Sequence, residues 1–132
     1  MTSSSDPTST PDPGPRSPAQ RRNSLVDAHC AACEGGVEVM PPETARQYLE
    51  TVAKWELDES SRSISRQFNR GTFVNVIELI NRIAAVAERE QHHPDLHVTG
   101  YRHLKVVLTT HAIGGLSKND FIVAAKIDQL LD

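Results

Sequence analysis

Three histidines in this 132-residue sequence fall where they could move protons: the adjacent pair His92-His93, and His111. Glu88-Arg89-Glu90-Gln91-His92-His93-Pro94 sets a carboxylate four residues before the first imidazole, and Asp120 follows His111 by nine. An imidazole titrates near neutral pH, so two of them held in opposite protonation states can protonate one atom and deprotonate another. If a helix reaches His92, Glu88 shares its face, and a carboxylate there accepts a ring N–H and fixes the tautomer. The C-terminus of such a helix also favours a protonated imidazole. Pro94 disfavours helical geometry at His93 and leaves that ring in a fixed, non-helical orientation. His111 is expected to end a strand and to project past the sheet edge into a cleft.

Plainer readings compete with each of these. A lone histidine at a helix end is most often a cap or a surface residue, and His97 and His103 are assigned to that class. Adjacent histidines seldom converge on one metal, and zinc favours wider spacings. His29, Cys30 and Cys33 make half a zinc or iron site at most, because no second CxxC completes it. The thiols therefore read as structural or surface groups, and no metal site is assigned. There is no P-loop and no glycine-rich dinucleotide fingerprint, so no cofactor is expected.

The elements that must carry these residues follow from periodicity. Pro41-Pro42-Glu43, with Ala45, Tyr48, Leu49 and Val52, predicts a short amphipathic helix opened by proline. Residues 55–57 and 63–68 alternate about the polar turn 58–61, which predicts a hairpin. From Thr72 a long helix places Phe73, Val76, Ile77, Ile80, Ile83, Ala84 and Ala87 on its core face, and must stop near His92. Val74, Leu79 and Val86 form a second apolar strip on it. Residues 96–101 and 103–111 predict two more strands, with Leu104, Val106, Leu108 and Thr110 on one side of the latter. Ser117-x-x-Asp120 is a capping-box variant that opens a last helix. The order α-β-β-α-β-β-α predicts an α+β fold: a four-stranded antiparallel sheet with three helices on one face.

Residues 1–20 hold only Ala19 as an apolar residue after Met1. Such a stretch cannot bury enough surface to offset its ordering entropy, so residues 1–22 are expected as a disordered tail. Residues 23–40 follow as a leader with the CxxC, and 41–132 as the domain. A formal charge of −3 of mixed sign gives no electrostatic case for nucleic acid. No run approaches a membrane span and no secretory h-region appears, so a cytoplasmic protein is expected.

The pattern Glu88-x3-His92-His93-Pro94, with Tyr101, His111 and Asp120 at fixed spacing, resembles the signature of the pterin-4a-carbinolamine dehydratases. The similarity runs from about Cys30 to Leu131. Cys33-Glu34-Gly35-Gly36 resembles the leader of longer plant and bacterial members, and Thr110-His111 through Asp120-Phe121 matches the family's last strand and helix start. The resemblance implies dehydration of a 4a-hydroxytetrahydropterin in tetrahydrobiopterin recycling, with a link to an aromatic amino acid hydroxylase. It implies that His92, His93 and His111 line the pterin pocket and supply the acid–base groups, and that Glu88 orients an imidazole. His92 and His111 would form the proton-transfer pair, with His93 positioning the hydroxyl. Gln91, Pro94, Tyr101, Thr109, Thr110, Ala112 and Asp120 join the implied substrate contacts, the two threonines by backbone and hydroxyl groups. Gln91 stands where several members have Asp, and Leu96 where animal members have Trp. The resemblance also implies a homotetramer, a dimer of dimers, to which the second apolar strip would contribute. The competing class is a non-catalytic interaction or assembly factor on the same fold, since animal members also serve as a dimerisation cofactor and some bacterial relatives as assembly factors.

Overall fold

The computed structural model describes residues 17–31 and 38–131. The expectations for residues 1–16 and for Cys33 to Gly36 lie outside them. Four helices and four strands are present among the described residues. Helix α1 (Pro18–Asp27) starts inside the stretch expected as a tail, so residues 18–22 are helical. A capping box closes its first turn, Ser17 accepting from the Gln20 N–H and Gln20 from the Ser17 N–H. Its single buried side chain, Leu25, joins the core against helix α4 (Lys118–Gln129). One apolar anchor at the end of a polar stretch is a weak compositional signal, which is why the tail expectation took in residues 17–22.

Helix α2 (Pro42–Leu49) has proline in its first turn and runs into a 3-10 turn at Glu50–Val52. Strands β1 (Glu56–Leu57) and β2 (Ile64–Asn69) form the expected hairpin. Helix α3 (Phe73–Glu90) is capped by the Thr72 hydroxyl on the Asn75 N–H. Strands β3 (Asp95–Thr99) and β4 (His103–Leu108) complete an antiparallel sheet ordered β1-β2-β4-β3. Pairing of Ile64 with Leu108 and of Phe68 with Leu104 puts one buried row on the helix side. His103 and Lys105 lie on the exposed opposite side. The class is therefore the expected α+β sheet with helices on one face, with α1 added.

Two local expectations are corrected. β4 stops at Leu108, and His111 sits in a 3-10 turn (His111–Ile113) enclosed by the Thr110–Gly115 bridge, not at a strand end. On α3 the buried residues are Val76, Leu79, Ile83, Val86, Ala87 and Glu90, whereas Phe73, Val74, Ile77 and Ala84 are exposed. Leu79 and Val86, assigned to an outer strip, are core. An apolar-rich helix carries two stripes compatible with a 3.6 period, and the surface packed against it selects one. α4 is buried on every side from Asn119 to Ile127, because α1, α3 and the 3-10 turn at 50–52 all pack on it. No described helix is long and apolar enough to cross a membrane.

Leu25→Ala tests whether α1 belongs to the domain. Emptying that site is expected to cost about 2–5 kcal/mol in urea unfolding. A loss under about 0.5 kcal/mol, the range of surface substitutions, would show that α1 adds nothing to the core.

Candidate active site

α3 ends because Gln91 takes a left-handed conformation, φ 53°, while its side-chain amide donates to the Glu88 carbonyl at 2.7 Å. The His92 N–H reaches back to the Ala87 carbonyl at 3.1 Å, closing the helix two residues before the first imidazole. This turn sends the adjacent histidines apart. His92 points inward with its side chain 11% exposed, and its Nε2 lies 2.6 Å from Asp120 Oδ1. His93 points outward, 57% exposed, and its Nε2 pairs with Glu88. The expected pairing of Glu88 with His92 is therefore not made. The helix stops short of His92, so the i, i+4 geometry that would join them is lost.

Asp120 is fully buried at the third position of α4. Its Oδ1 takes the His92 ring, and its Oδ2 accepts from the Thr110 hydroxyl at 2.8 Å and the Ser117 N–H at 3.0 Å. The helix N-terminus adds a favourable field for the anion. A carboxylate so placed only accepts, which assigns the proton to His92 Nε2 and leaves Nδ1 as the atom that can exchange one. The threonine hydroxyls are committed elsewhere than expected: Thr110 donates to Asp120, and Thr109 to the Arg62 carbonyl at 2.6 Å. Both residues line the cleft.

That cleft has a volume of about 650 Å³. Of the expected site residues, Gln91, His92, His93, Thr109, Thr110, His111 and Ala112 line it. Asp120 stands behind His92, and Glu88 beside His93, while Pro94 is outside the lining. Tyr101 is not brought to the site. It sits in the turn joining β3 and β4, 58% exposed, at the end of the hairpin opposite His93. The five residues of β3 separate them by roughly 16 Å at ordinary strand rise.

The wall that sequence reasoning missed comprises His29, Cys30, Ala31, Arg89, Glu90 and Asn119. Only His29 and Cys30 carried any signal, as half of a metal site; no cluster of three or more ligand-type side chains forms among the described residues. Glu90, with its side chain 1% exposed, accepts from the Cys30 N–H at 2.8 Å, Lys126 Nζ at 3.0 Å and His29 Nδ1 at 3.2 Å. Burial alone would raise its pKa, but the bonds from Cys30, Lys126 and His29 outweigh that and hold it at about 2.

Comparison with known proteins identifies the family. The family described as pterin 4 alpha carbinolamine dehydratase matches residues 38–130. A protein of Halorhodospira halophila bearing that family's name is 45% identical over 107 residues, 81% of this chain and 97% of the relative. This chain belongs to the pterin-4-alpha-carbinolamine dehydratase family. Membership makes it an enzyme of the hydro-lyase class. Pterin-4-alpha-carbinolamine dehydratase 2, mitochondrial, of Arabidopsis thaliana is 38% identical over 123 residues, covering 89% of this chain and 66% of that protein. The crystal structure of a transcriptional coactivator/pterin dehydratase from Brucella melitensis shares the fold. Its TM-score is 0.67 at 22% identity, covering 72% of this chain and all of that one.

The buried Glu90 carboxylate generates an acid-stability prediction. Its folded pKa is depressed, so its contribution is complete above the usual 4.5 and is lost as pH falls toward about 2. The loss across that window is about 3 kcal/mol. Unfolding measured against pH should therefore fall more steeply for the parent than for Glu90→Gln. Parallel curves would refute the assignment.

Proposed function

We propose that this protein dehydrates 4a-hydroxytetrahydropterin to the quinonoid dihydropterin by histidine acid–base catalysis, in tetrahydrobiopterin recycling. The observation that carries this reading is the His92 ring held on buried Asp120, with His93 and His111 lining the same cleft. Loss of water requires two proton movements. One imidazole takes the proton from N5, whose electron pair forms the new C4a=N5 bond. A second, protonated imidazole gives its proton to the 4a-hydroxyl, which leaves as water when the C4a–O bond breaks. Atoms balance, and no oxidation state changes.

His92 and His111 form the proton-transfer pair. Asp120 fixes the tautomer of His92, so Nδ1 is the exchanging atom. His93, oriented by Glu88, positions the leaving hydroxyl. Gln91, Ala112 and the backbone of Thr109 and Thr110 contact the pterin, while Pro94 sets the direction of His93. The catalytic domain is assigned to residues 41–132, acting in the cytoplasm in support of an aromatic amino acid hydroxylase. The apolar residues that α3 leaves exposed, Phe73, Val74, Ile77 and Ala84, support assembly into a homotetramer built as a dimer of dimers. A pterin dehydratase-like RuBisCO assembly factor of the alpha-carboxysome shares the fold at a TM-score of 0.50 and 19% identity. The acid–base residues lining the cleft favour catalysis over such an assembly role.

Loss of the 4a-carbinolamine absorbance measures the reaction. His92→Ala and His111→Ala should each lower kcat by about 10²–10⁴, the usual share of general acid–base catalysis. His93→Ala should act mainly through KM, because positioning serves substrate and transition state alike. Near-parental kcat in both of the first two variants would sink the assignment. Light scattering should give four times the chain mass, and a monomer at micromolar concentration would refute the tetramer.

A further inference from the structure

Residues 29–31 lie between α1 and the domain that matches the family, yet all three line the cleft. Two buried side chains hold them there. Glu90 takes the Cys30 N–H on one oxygen at 2.8 Å and His29 Nδ1 on the other at 3.2 Å. Asn119 grips Ala31 with both ends of its amide, Oδ1 accepting the N–H at 3.0 Å and Nδ2 donating to the carbonyl at 2.7 Å. That reproduces the two-way pairing an adjacent antiparallel strand gives a residue.

Both anchors stand next to residues of the proposed reaction. Glu90 directly precedes Gln91, whose left-handed turn launches His92 and His93, and Asn119 directly precedes Asp120, which holds His92. Any displacement of the catalytic turn is thus shared with residues 29–31. The anchoring is also costly in isolation: Glu90 and Lys126 are 5% and 8% exposed, and burying an ion pair brings little net stability. A structural tether alone would be made as well by surface contacts.

We infer that residues 29–31 contact the bound pterin as part of the substrate cleft, and that Glu90 and Asn119 are positioning residues that hold this wall against it. The inference rests on the proposed reaction. His29 and Cys30 line the cleft and are not among the proton-transfer histidines, so they contribute to binding rather than to the chemical step.

The test uses the full chain with Cys33→Ser, which leaves Cys30 as the single thiol. The parent is compared with Asn119→Ala and with the double variant Glu90→Met/Lys126→Met, which removes both buried charges together and leaves neither unpaired. Three quantities are read: the rate of Cys30 labelling by an aromatic disulfide with and without 7,8-dihydrobiopterin, the steady-state kcat and KM, and the thermal midpoint. Bound dihydrobiopterin should slow labelling of the parent about tenfold, and both variants should label faster without it. KM should rise about tenfold with kcat within about threefold, the signature of lost uniform binding. A purely structural role would shift the midpoint and leave the KM of the folded variants at the parental value, and that result overturns the inference. So does unprotected Cys30 in a parent that turns substrate over. If the parent has no turnover but dihydrobiopterin still protects Cys30, the wall stands and the proposed reaction falls.

Discussion

The carboxylate of Asp120 is where strand, helix and the His92 ring meet. It caps α4 through the Ser117 N–H, takes the Thr110 hydroxyl just beyond the end of β4, and holds the His92 ring that follows α3. A fully buried carboxylate is tolerated only when donors replace its water, and here three donors and the α4 N-terminus do so. The same arrangement makes helix capping and imidazole orientation one constraint. The first turn of α4 cannot form as it does without placing an acceptor for His92.

The second constraint is the left-handed turn at Gln91. It ends α3, and in one step separates two adjacent histidines into an inward ring on Asp120 and an outward ring on Glu88. Two imidazoles next to each other in sequence thereby acquire different surroundings, one nearly enclosed and one half exposed. His111 joins them from the 3-10 turn beyond β4, a turn closed by the Thr110–Gly115 bridge.

Around this site the packing is centred on α4. Its entire middle is buried, so the helix carries Asp120 and Asn119 at one end and, through Asp128, accepts the Trp55 indole N–H at 2.8 Å near the other. Lys126 from the same helix neutralises Glu90, which ties the end of α3 to α4 a second time. The turn at Gln91 is thus braced by two carboxylates in different ways. One orients an imidazole, and the other fixes residues 29–31.

What could be read from the sequence was what short-range geometry dictates. The hairpin at 56–69, the long helix from Thr72, the two faces of β4 and the Ser117–Asp120 cap all depend on residues two to four positions apart, where backbone periodicity alone sets the outcome. The histidine, carboxylate and proline types at their spacing were visible in the same way, and with them the chemistry they can perform. Partner choice was not. Whether Glu88 meets His92 or His93 depends on where α3 stops, and the helical pattern did not mark that stop at Glu90. Which stripe of α3 is core depends on the surfaces packed against it, and Tyr101 is separated from the cleft by the full length of a hairpin. The links from Asp120 to His92, from Glu90 to Cys30 and from Asn119 to Ala31 span 28, 60 and 88 residues of chain. No local propensity encodes such distances. They are made when buried polar groups, cut off from water, take the partners that the packed elements bring within reach.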